Sequence, residues 1–381
     1  MRILQVTAYY PPHVGGLEGH VEALSRKLVE AGHEVVVYTS NVPRLKRTEV
    51  VSGVQIRRFS CLFSPLGNPV TPGLFCKLLA NEDFDVVHTH IHYHMCSTLT
   101  ALSNVFKKRP LVLTVHGLML GYHGWRRGLE LVFNRTVGWW TLRTVDRVIV
   151  LTPTLADMVE GLGARRERTA VIPGWIEPLS IGSPVDATGF RTGHGLAGKK
   201  VILFAGRLLP AKGLSYLIEA VGQTETRPTV AIIGDEAPGY AGCRESLMQQ
   251  VKRSGLEEQV LFLGRFARED LEAAYEAADL FVLPSLGEGL PLALIEAMAH
   301  GKCVLATDVP GNRDVIKDGW NGALVEARNP AELAHRIDAL LADNGLRAQL
   351  GAQARLDVKR DYSCDVVMKK ILDVYREVRG Q

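Results

Sequence analysis

Short unbroken apolar runs alternate along this chain with longer stretches whose apolar residues recur at helical spacing. Ile3–Thr7, Val35–Thr39, Gln55–Arg58, Val86–His88, Leu111–Val115 and Val148–Leu151 read as strands. Val21–Gly32 reads as a helix with Gly32 at its C-terminal cap. A second series follows Lys199-Lys200. It comprises strand Val201–Ala205, helix Leu214–Val221 and strands Val230–Ile233, Val260–Leu263, Leu280–Leu283 and Val304–Thr307. Ala331–Leu341 and Cys364–Val378 read as helices. Strands that alternate with helices predict parallel sheets covered on both faces. Pro173–Gly198, rich in Gly, Pro, Ser and Thr, reads as a linker. The expected division is a first domain over 1–180 and a second over 199–360. A terminal helix over 361–381 is expected to pack back toward the first domain.

A length of 381 residues suits two domains better than one. With 46% hydrophobic and 22% charged residues, the composition is that of an ordinary soluble enzyme. No apolar run approaches the roughly 18 residues that span a bilayer. The N-terminal run Ile3–Val6 is too short for a signal peptide, so a cytoplasmic protein is expected. Six cysteines without CxxC spacing point to reduced thiols used as small hydrophobes rather than disulfides or a zinc knuckle. The net charge of +3 hides an asymmetry. Residues 1–180 carry 20 Lys and Arg against 14 Asp and Glu, and the remainder carries 24 against 27. A basic half attracts phosphates or anionic lipid. No nucleic-acid-binding motif is present, so no nucleic-acid partner is expected.

The chemistry concentrates in Pro284–Gly301, after the strand Leu280–Leu283. Gly287 and Gly289 permit a tight loop, and Pro291 suits the first turn of a helix. The free amides of that turn can hold a phosphate. Glu288 on the loop and Glu296 in the helix offer carboxylates to vicinal hydroxyls, one for a sugar and one for a ribose. Gly206-Arg207 ends strand Val201–Ala205, and Lys212-Gly213 follows five residues on. Two such cations suit a diphosphate leaving group and can take the place of a metal.

At these residues a family is recognisable. Glu288-x7-Glu296, Gly206-Arg207…Lys212-Gly213 and Gly15-Gly16-x-Glu18 together resemble glycosyltransferase family 4. The resemblance covers nearly the whole chain and includes Gly32-His33-Glu34-Val35, Val115-His116-Gly117 and the loop Asp308–Gly322. It implies an α/β protein of GT-B architecture, with two Rossmann-like domains whose parallel sheets face a central cleft. It implies retention at the anomeric carbon, no metal, no cofactor and a nucleotide-diphosphate sugar as donor. Arg207 and Lys212 would grip the diphosphate, Glu288 the transferred sugar and Glu296 the ribose. Backbone at Leu290, Pro291 and Leu292 would assist, with Gly206 and Gly16 near the phosphates. Gly264, Arg265 and Phe266 would pass the base by backbone contacts. His116 would approach the sugar, and Gly15, Glu18 and His90 are acceptor-side candidates. Two departures from the family pattern, Ile172-Pro173-Gly174-Trp175-Ile176-Glu177 and Leu290, leave the donor sugar open.

Glu18 also has a plainer reading as a charge at the start of its helix. In His88-Thr89-His90-Ile91-His92-Tyr93-His94, alternate imidazoles share a strand face, as in a metal cluster, although the family carries histidines here without metal. Gly124–Val145, with Trp125, Arg126, Arg127, Arg135, Trp139, Trp140 and Arg143, can lie on a membrane surface or serve as a domain helix. A peripheral contact at the inner membrane surface is therefore one expectation. The acceptor is expected to be a glycan, a lipid or a small molecule. A sugar-nucleotide epimerase of the same fold and a non-catalytic sugar-nucleotide binder are the rival readings.

Overall fold

Val201–Ala205 is buried at every position, as a strand covered on both faces must be, and it lies inside one of two sheets. The computed structural model describes residues 1–381 except 14, 81, 118–127, 129–130, 177–184, 238–239 and 381, and the side chain of Leu66. Contacts divide the chain into two units. Met1–Gly174 joins Val367–Gln381 in the first, and Trp175–Val366 forms the second.

The first unit holds β1 (Arg2–Val6), β2 (Glu34–Ser40), β3 (Thr48–Val51), β4 (Val54–Phe59), β5 (Val86–His90), β6 (Leu111–Val115), β7 (Arg147–Val150) and β8 (Thr169–Val171). Their order is β3-β4-β2-β1-β5-β6-β7-β8. All pairs are parallel except β3 with β4, an antiparallel edge hairpin that the alternation of strand and helix did not predict. Leu4, Val6, Val36, Val87, Leu113 and Val148 pack in its core. The second unit holds β9 (Val201–Ala205), β10 (Thr229–Ile233), β11 (Val260–Gly264), β12 (Leu280–Leu283), β13 (Val304–Thr307) and β14 (Ala323–Val325), in the wholly parallel order β11-β10-β9-β12-β13-β14. Ile202, Phe204, Leu217, Phe281 and Leu305 anchor its core.

Apart from the β3–β4 edge hairpin, both orders reverse direction once, between β1 and β5 and between β9 and β12. The carboxyl ends of strands at such a reversal are where ligands bind in open parallel sheets. Gly15-Gly16 follow β1 and His90 ends β5; Arg207 and Glu288 follow β9 and β12.

Part of the expected linker is structured. Ala187–Gly193 is a helix capped by Asp186, which accepts from the Gly189 amide at 2.6 Å, and Phe190 is buried in the second core. The first helix begins at Gly16, one turn before the first residue at helical spacing, with the Gly19 amide donating to the Gly15 carbonyl at 3.1 Å. The last helix, Cys364–Arg379, crosses from one unit to the other, and its Tyr375 is fully buried in the first. Among the described residues no helix is long and apolar enough to cross a membrane.

Several glycines let backbone meet backbone. Gly213 has φ 67°, and a Cβ there would overlap the Pro284 carbonyl oxygen. Gly32 has φ 81° with nothing within 4 Å of a Cβ. Gly32→Ala is therefore expected to cost about 1–2 kcal/mol, the left-handed penalty alone. Gly213→Ala is expected to cost roughly 2 kcal/mol more, from the added overlap. Urea unfolding of the two variants checks this, and equal losses would contradict the close approach.

Candidate active site

The loop after β12 sets one carboxylate oxygen of Glu288 between two donors. Glu288 Oε1 accepts from Lys212 Nζ at 2.6 Å and from Ser285 Oγ at 2.6 Å. Glu288 is nearly buried, and its Oε2 makes no hydrogen bond among the described residues. Ser285 is held in turn. Thr307 Oγ1 donates to its carbonyl, and the fully buried Asn312 donates from Nδ2 to the Thr307 carbonyl at 3.0 Å. Gly311, φ 81°, brings the loop after β13 beneath the Glu288 loop, where a Cβ would stand 2.6 Å from the Glu288 carbonyl oxygen. The Leu286 amide donates to the Ala211 carbonyl at 2.8 Å, joining this loop to the one carrying Lys212.

Arg207 lies on that same edge of the sheet, just past β9. Its guanidinium is exposed and makes no hydrogen bond or ion pair among the described residues. Lys212 and Glu288 neutralise each other, so Arg207 is the uncompensated cation of the pair expected from sequence. Gly206 accepts a positive φ of 157°, and its carbonyl is where a Cβ at Gly234 would collide.

The helix Leu292–Ala299 starts at Pro291, whose carbonyl takes the Leu294 and Ile295 amides at 3.0 and 3.2 Å. The Leu292 and Ala293 amides, at the positive end of the helix dipole, donate to no backbone carbonyl among the described residues. Leu290 is half-buried and Leu292 exposed. Glu296, largely buried, accepts from the Tyr275 hydroxyl at 2.9 Å. Burial raises its pKa above the usual carboxylate range despite that bond. Tyr275 stacks on His300, whose Nδ1 lies 2.9 Å from Glu276; that bond and Lys302 hold the Glu276 pKa down to about 2. Arg265 is exposed past β11, while the Phe266 ring packs on Phe190 and His194 at 5.9 and 5.6 Å between ring centres.

In the first unit the histidines form a connected chain. His90 is fully buried, with Nδ1 3.1 Å from His116 Nε2 and Nε2 2.8 Å from Gln5 Oε1. Both nitrogens are occupied, so His90 is a support for His116 and has no nitrogen left for an acceptor. His88 Nδ1 lies 2.6 Å from the Tyr375 hydroxyl, and its Nε2 lies 2.7 Å from Thr114 Oγ1. These bonds engage both ring nitrogens of each of the alternate imidazoles His88 and His90. The His20 ring stands edge-on to that of His116, with 4.7 Å between ring centres. His92 leaves the strand face and lies against Gly138. Glu18 is buried over Gly15, where a Cβ would overlap its carboxylate, and sits 3.1 Å from His13 Nδ1. Its place is at the start of its own helix. A Cβ at Gly16 would meet nothing within 4 Å. Trp140 packs on the first core, and Arg143 lies 4.7 Å over the Trp139 ring. Trp125, Arg126, Arg127 and Glu177 lie outside the described residues.

Sequence reasoning missed Ser285, Thr307, Asn312, Tyr275, Gln5 and Tyr375. Ser285 stands inside the segment already singled out, directly after its strand. Nothing local marks the others, which reach their partners across the fold.

Burial lowers the pKa of His20 to about 4 and of His88 to about 3, and takes His90 and His116 well below 6.5. The unfolded chain then binds more protons than the folded one below about pH 6.5, so stability falls as pH drops from 6.5 toward 4. The melting temperature of the first unit is expected to decline between pH 7.5 and 5.0. A flat profile over that range would contradict neutral buried imidazoles.

Comparison with known proteins follows the same two units. Residues 14–178 match Glycosyltransferase Family 4, and residues 189–357 match Glycosyl transferases group 1. A D-inositol 3-phosphate glycosyltransferase of Geodermatophilus obscurus is 32% identical over 90% of this chain and 80% of its own. Phosphatidyl-myo-inositol mannosyltransferase of Mycolicibacterium smegmatis is 30% identical over 100% of this chain and 95% of its own. Among solved structures, Anabaena HepE in complex with UDP shares the fold, with a TM-score of 0.83 at 23% identity over 99% of this chain and 100% of the other. The two α/β units, the loop carrying Glu288 with the helix carrying Glu296, and these relatives place the chain in the group 1, family 4 glycosyltransferases of GT-B fold.

Proposed function

We propose that this chain moves a hexosyl or N-acetylhexosaminyl group from a UDP- or GDP-linked sugar to an acceptor hydroxyl, with retention and without metal or cofactor. The observation that carries this reading is the Lys212–Glu288–Ser285 joint beside the unpaired Arg207. Solved HepE structures that contain UDP or UDP-glucose support the donor class. Both relatives named above have a phosphorylated inositol in their names, which together with the basic first half supports a phosphorylated or lipid-linked acceptor.

The residues divide the work. Arg207 meets the diphosphate, with Lys212 turning toward it while still bridging Glu288. Glu288 Oε2 accepts from a hydroxyl of the transferred sugar, and Glu296 from the ribose. The amides of Leu292 and Ala293 face phosphate or sugar oxygens. His116 contacts the sugar or the acceptor. As the bond from the anomeric carbon to the phosphate oxygen breaks, charge grows on the diphosphate and is stabilised by Arg207. The acceptor oxygen bonds to the anomeric carbon on the same face, and its proton passes to the departing phosphate oxygen. The products are a nucleoside diphosphate and the glycoside.

A thermal-shift series with UDP, GDP and their sugar conjugates, without metal, tests the donor site. One nucleotide family is expected to raise the melting temperature, and Arg207→Ala to abolish that rise. The same variant is expected to lower kcat on the order of a hundredfold on a phosphorylated acceptor. Proton NMR of the product reads the anomer, and inversion would overturn the retaining route. A new sugar nucleotide formed without acceptor would instead indicate an epimerase, and binding without transfer a non-catalytic binder.

The basic half and the exposed Trp139 beside Arg143 support a peripheral contact with an anionic membrane surface on the cytoplasmic side. Co-sedimentation with phosphatidylglycerol vesicles is expected at low salt and reduced at high salt. No binding at either would remove this part of the proposal.

A further inference from the structure

The buried chain around His90 has a direction. Gln5 fixes it, because an amide nitrogen only donates and an amide oxygen only accepts. Gln5 Nε2 donates to the Tyr375 hydroxyl at 3.2 Å. Tyr375 then sends its own proton to His88 Nδ1, and His88 donates from Nε2 to Thr114. On the other side, Gln5 Oε1 faces His90 Nε2, which must carry a proton to bond to it. A neutral His90 has one proton, so its Nδ1 is bare. His116 Nε2, 3.1 Å away, must then be the protonated nitrogen. Burial and the neighbouring imidazoles keep His90 and His116 neutral at pH 7, which makes this count of one proton per ring hold.

The last atom of the chain is His116 Nδ1. It has no hydrogen-bond partner among the described residues, and His116 is half-buried where His90 is fully buried. Turning the Gln5 amide over would reverse every donor in the series. His90 Nδ1 would donate to His116 Nε2, and the His116 proton would move to Nδ1. One amide orientation, in a residue fully buried in β1, thus decides what His116 offers at its open edge.

We propose that Gln5 and Tyr375 are positioning residues that hold His116 as the Nε2–H tautomer, so that its open Nδ1 accepts a hydrogen bond from a substrate hydroxyl. This rests on the reading of His116 as a substrate contact. It adds a chemical restriction: His116 selects a group that donates, a sugar or acceptor hydroxyl, and does not donate to a phosphate or a carbonyl from that nitrogen. Tyr375 belongs to the final helix, so the end of the chain sets the chemistry of a residue in its first third.

Long-range proton–nitrogen correlation NMR of the full chain, labelled with 15N in its histidine rings, reads the tautomer directly at pH 7.5. His116→Gln identifies the His116 signals by their loss. The expected result is one form with a protonated Nε2 and a bare Nδ1. A protonated Nδ1, or a mixture of both forms, overturns the proposal. Gln5→Met removes the acceptor for His90 and is expected to give a mixture, whereas Gln5→Glu keeps that acceptor and is expected to retain the single form. Persistence of the single form in Gln5→Met also overturns the proposal. In the kinetic arm, Gln5→Met is expected to lower kcat roughly tenfold, on the scale of one hydrogen bond, with nucleotide affinity unchanged. An equal fall in affinity for UDP or GDP would indicate general damage and count against a positioning role. The spectra need no donor, acceptor or turnover, so the tautomer stands or falls apart from the transferase reading, which Arg207→Ala tests. They are decisive in the natural sequence even where a variant fails to fold.

Discussion

Backbone lying directly on backbone at the carboxyl ends of β9, β10, β12 and β13 is the constraint on which the second unit's site depends. Gly213 rests on the Pro284 carbonyl, Gly234 on that of Gly206, and Gly311 on those of Glu288 and Gly289. Any side chain at these points would separate loops that come from different strands. Their closeness lets Lys212 reach Glu288 across 76 residues of sequence and lets Thr307 hold the residue next to it in space. The ion pair is therefore in place before any ligand arrives. Preformed dipoles and charges need little reorganisation when charge develops on a leaving group, which is the condition for strong electrostatic stabilisation.

The first unit solves a different problem. Imidazoles, an amide and a phenol lie inside the sheet, where an unpaired polar group is costly. Gln5, His88, His90 and Tyr375 each find partners among the others, and the set stays neutral. A neutral chain of this kind carries direction rather than charge. The second unit, by contrast, presents charge, because Arg207 is uncompensated at its exposed edge. Acid acts on the two arrangements in opposite senses: charging the imidazoles costs the first unit stability, whereas protonating Glu296, whose pKa burial has raised, relieves a buried charge in the second.

Much of the fold was legible because buried parallel strands are written as unbroken apolar runs. Val201–Ala205 and Leu280–Leu283 were read with the bounds they have, and the helix Leu214–Val221 likewise. The strand Thr48–Val51 was not, since it is an exposed edge hairpin with no core face to impose a pattern. The helix Asn344–Asp361 escaped notice because glycines interrupt it; Gly351 is there to let the helix lie against the Gly301 carbonyl. In the site, Arg207, Lys212, Glu288 and Glu296 were legible because glycine and proline mark the loops that carry them. Their partners were not. Tyr275 and Glu296 are 21 residues apart on different helices, and only the folded chain makes Tyr275 a donor to that carboxylate. For His90 the strand position was legible, but the use of both its nitrogens was not, because those partners sit on β1 and beyond β6.

The route of the chain adds a constraint on assembly. It leaves the first unit at Gly174 and returns at Val367. Until that return, Gln5 Nε2 and His88 Nδ1 lack the Tyr375 hydroxyl, which is 370 and 287 residues away from them in sequence. Residues 1–174 alone would bury these groups unsatisfied or leave the sheet open to water around them. The last helix therefore contributes more than apolar surface from Val367, Ile371 and Val378. It supplies the single hydroxyl that can both accept from an amide and donate to an imidazole, and a phenylalanine of nearly the same size could do neither. Contacts of such long sequence separation form late, after the loop entropy of the intervening unit has been met. The direction of hydrogen bonding through the first unit is thus set only when the whole chain has folded, which ties the state of His116 to the completed molecule rather than to the domain that contains it.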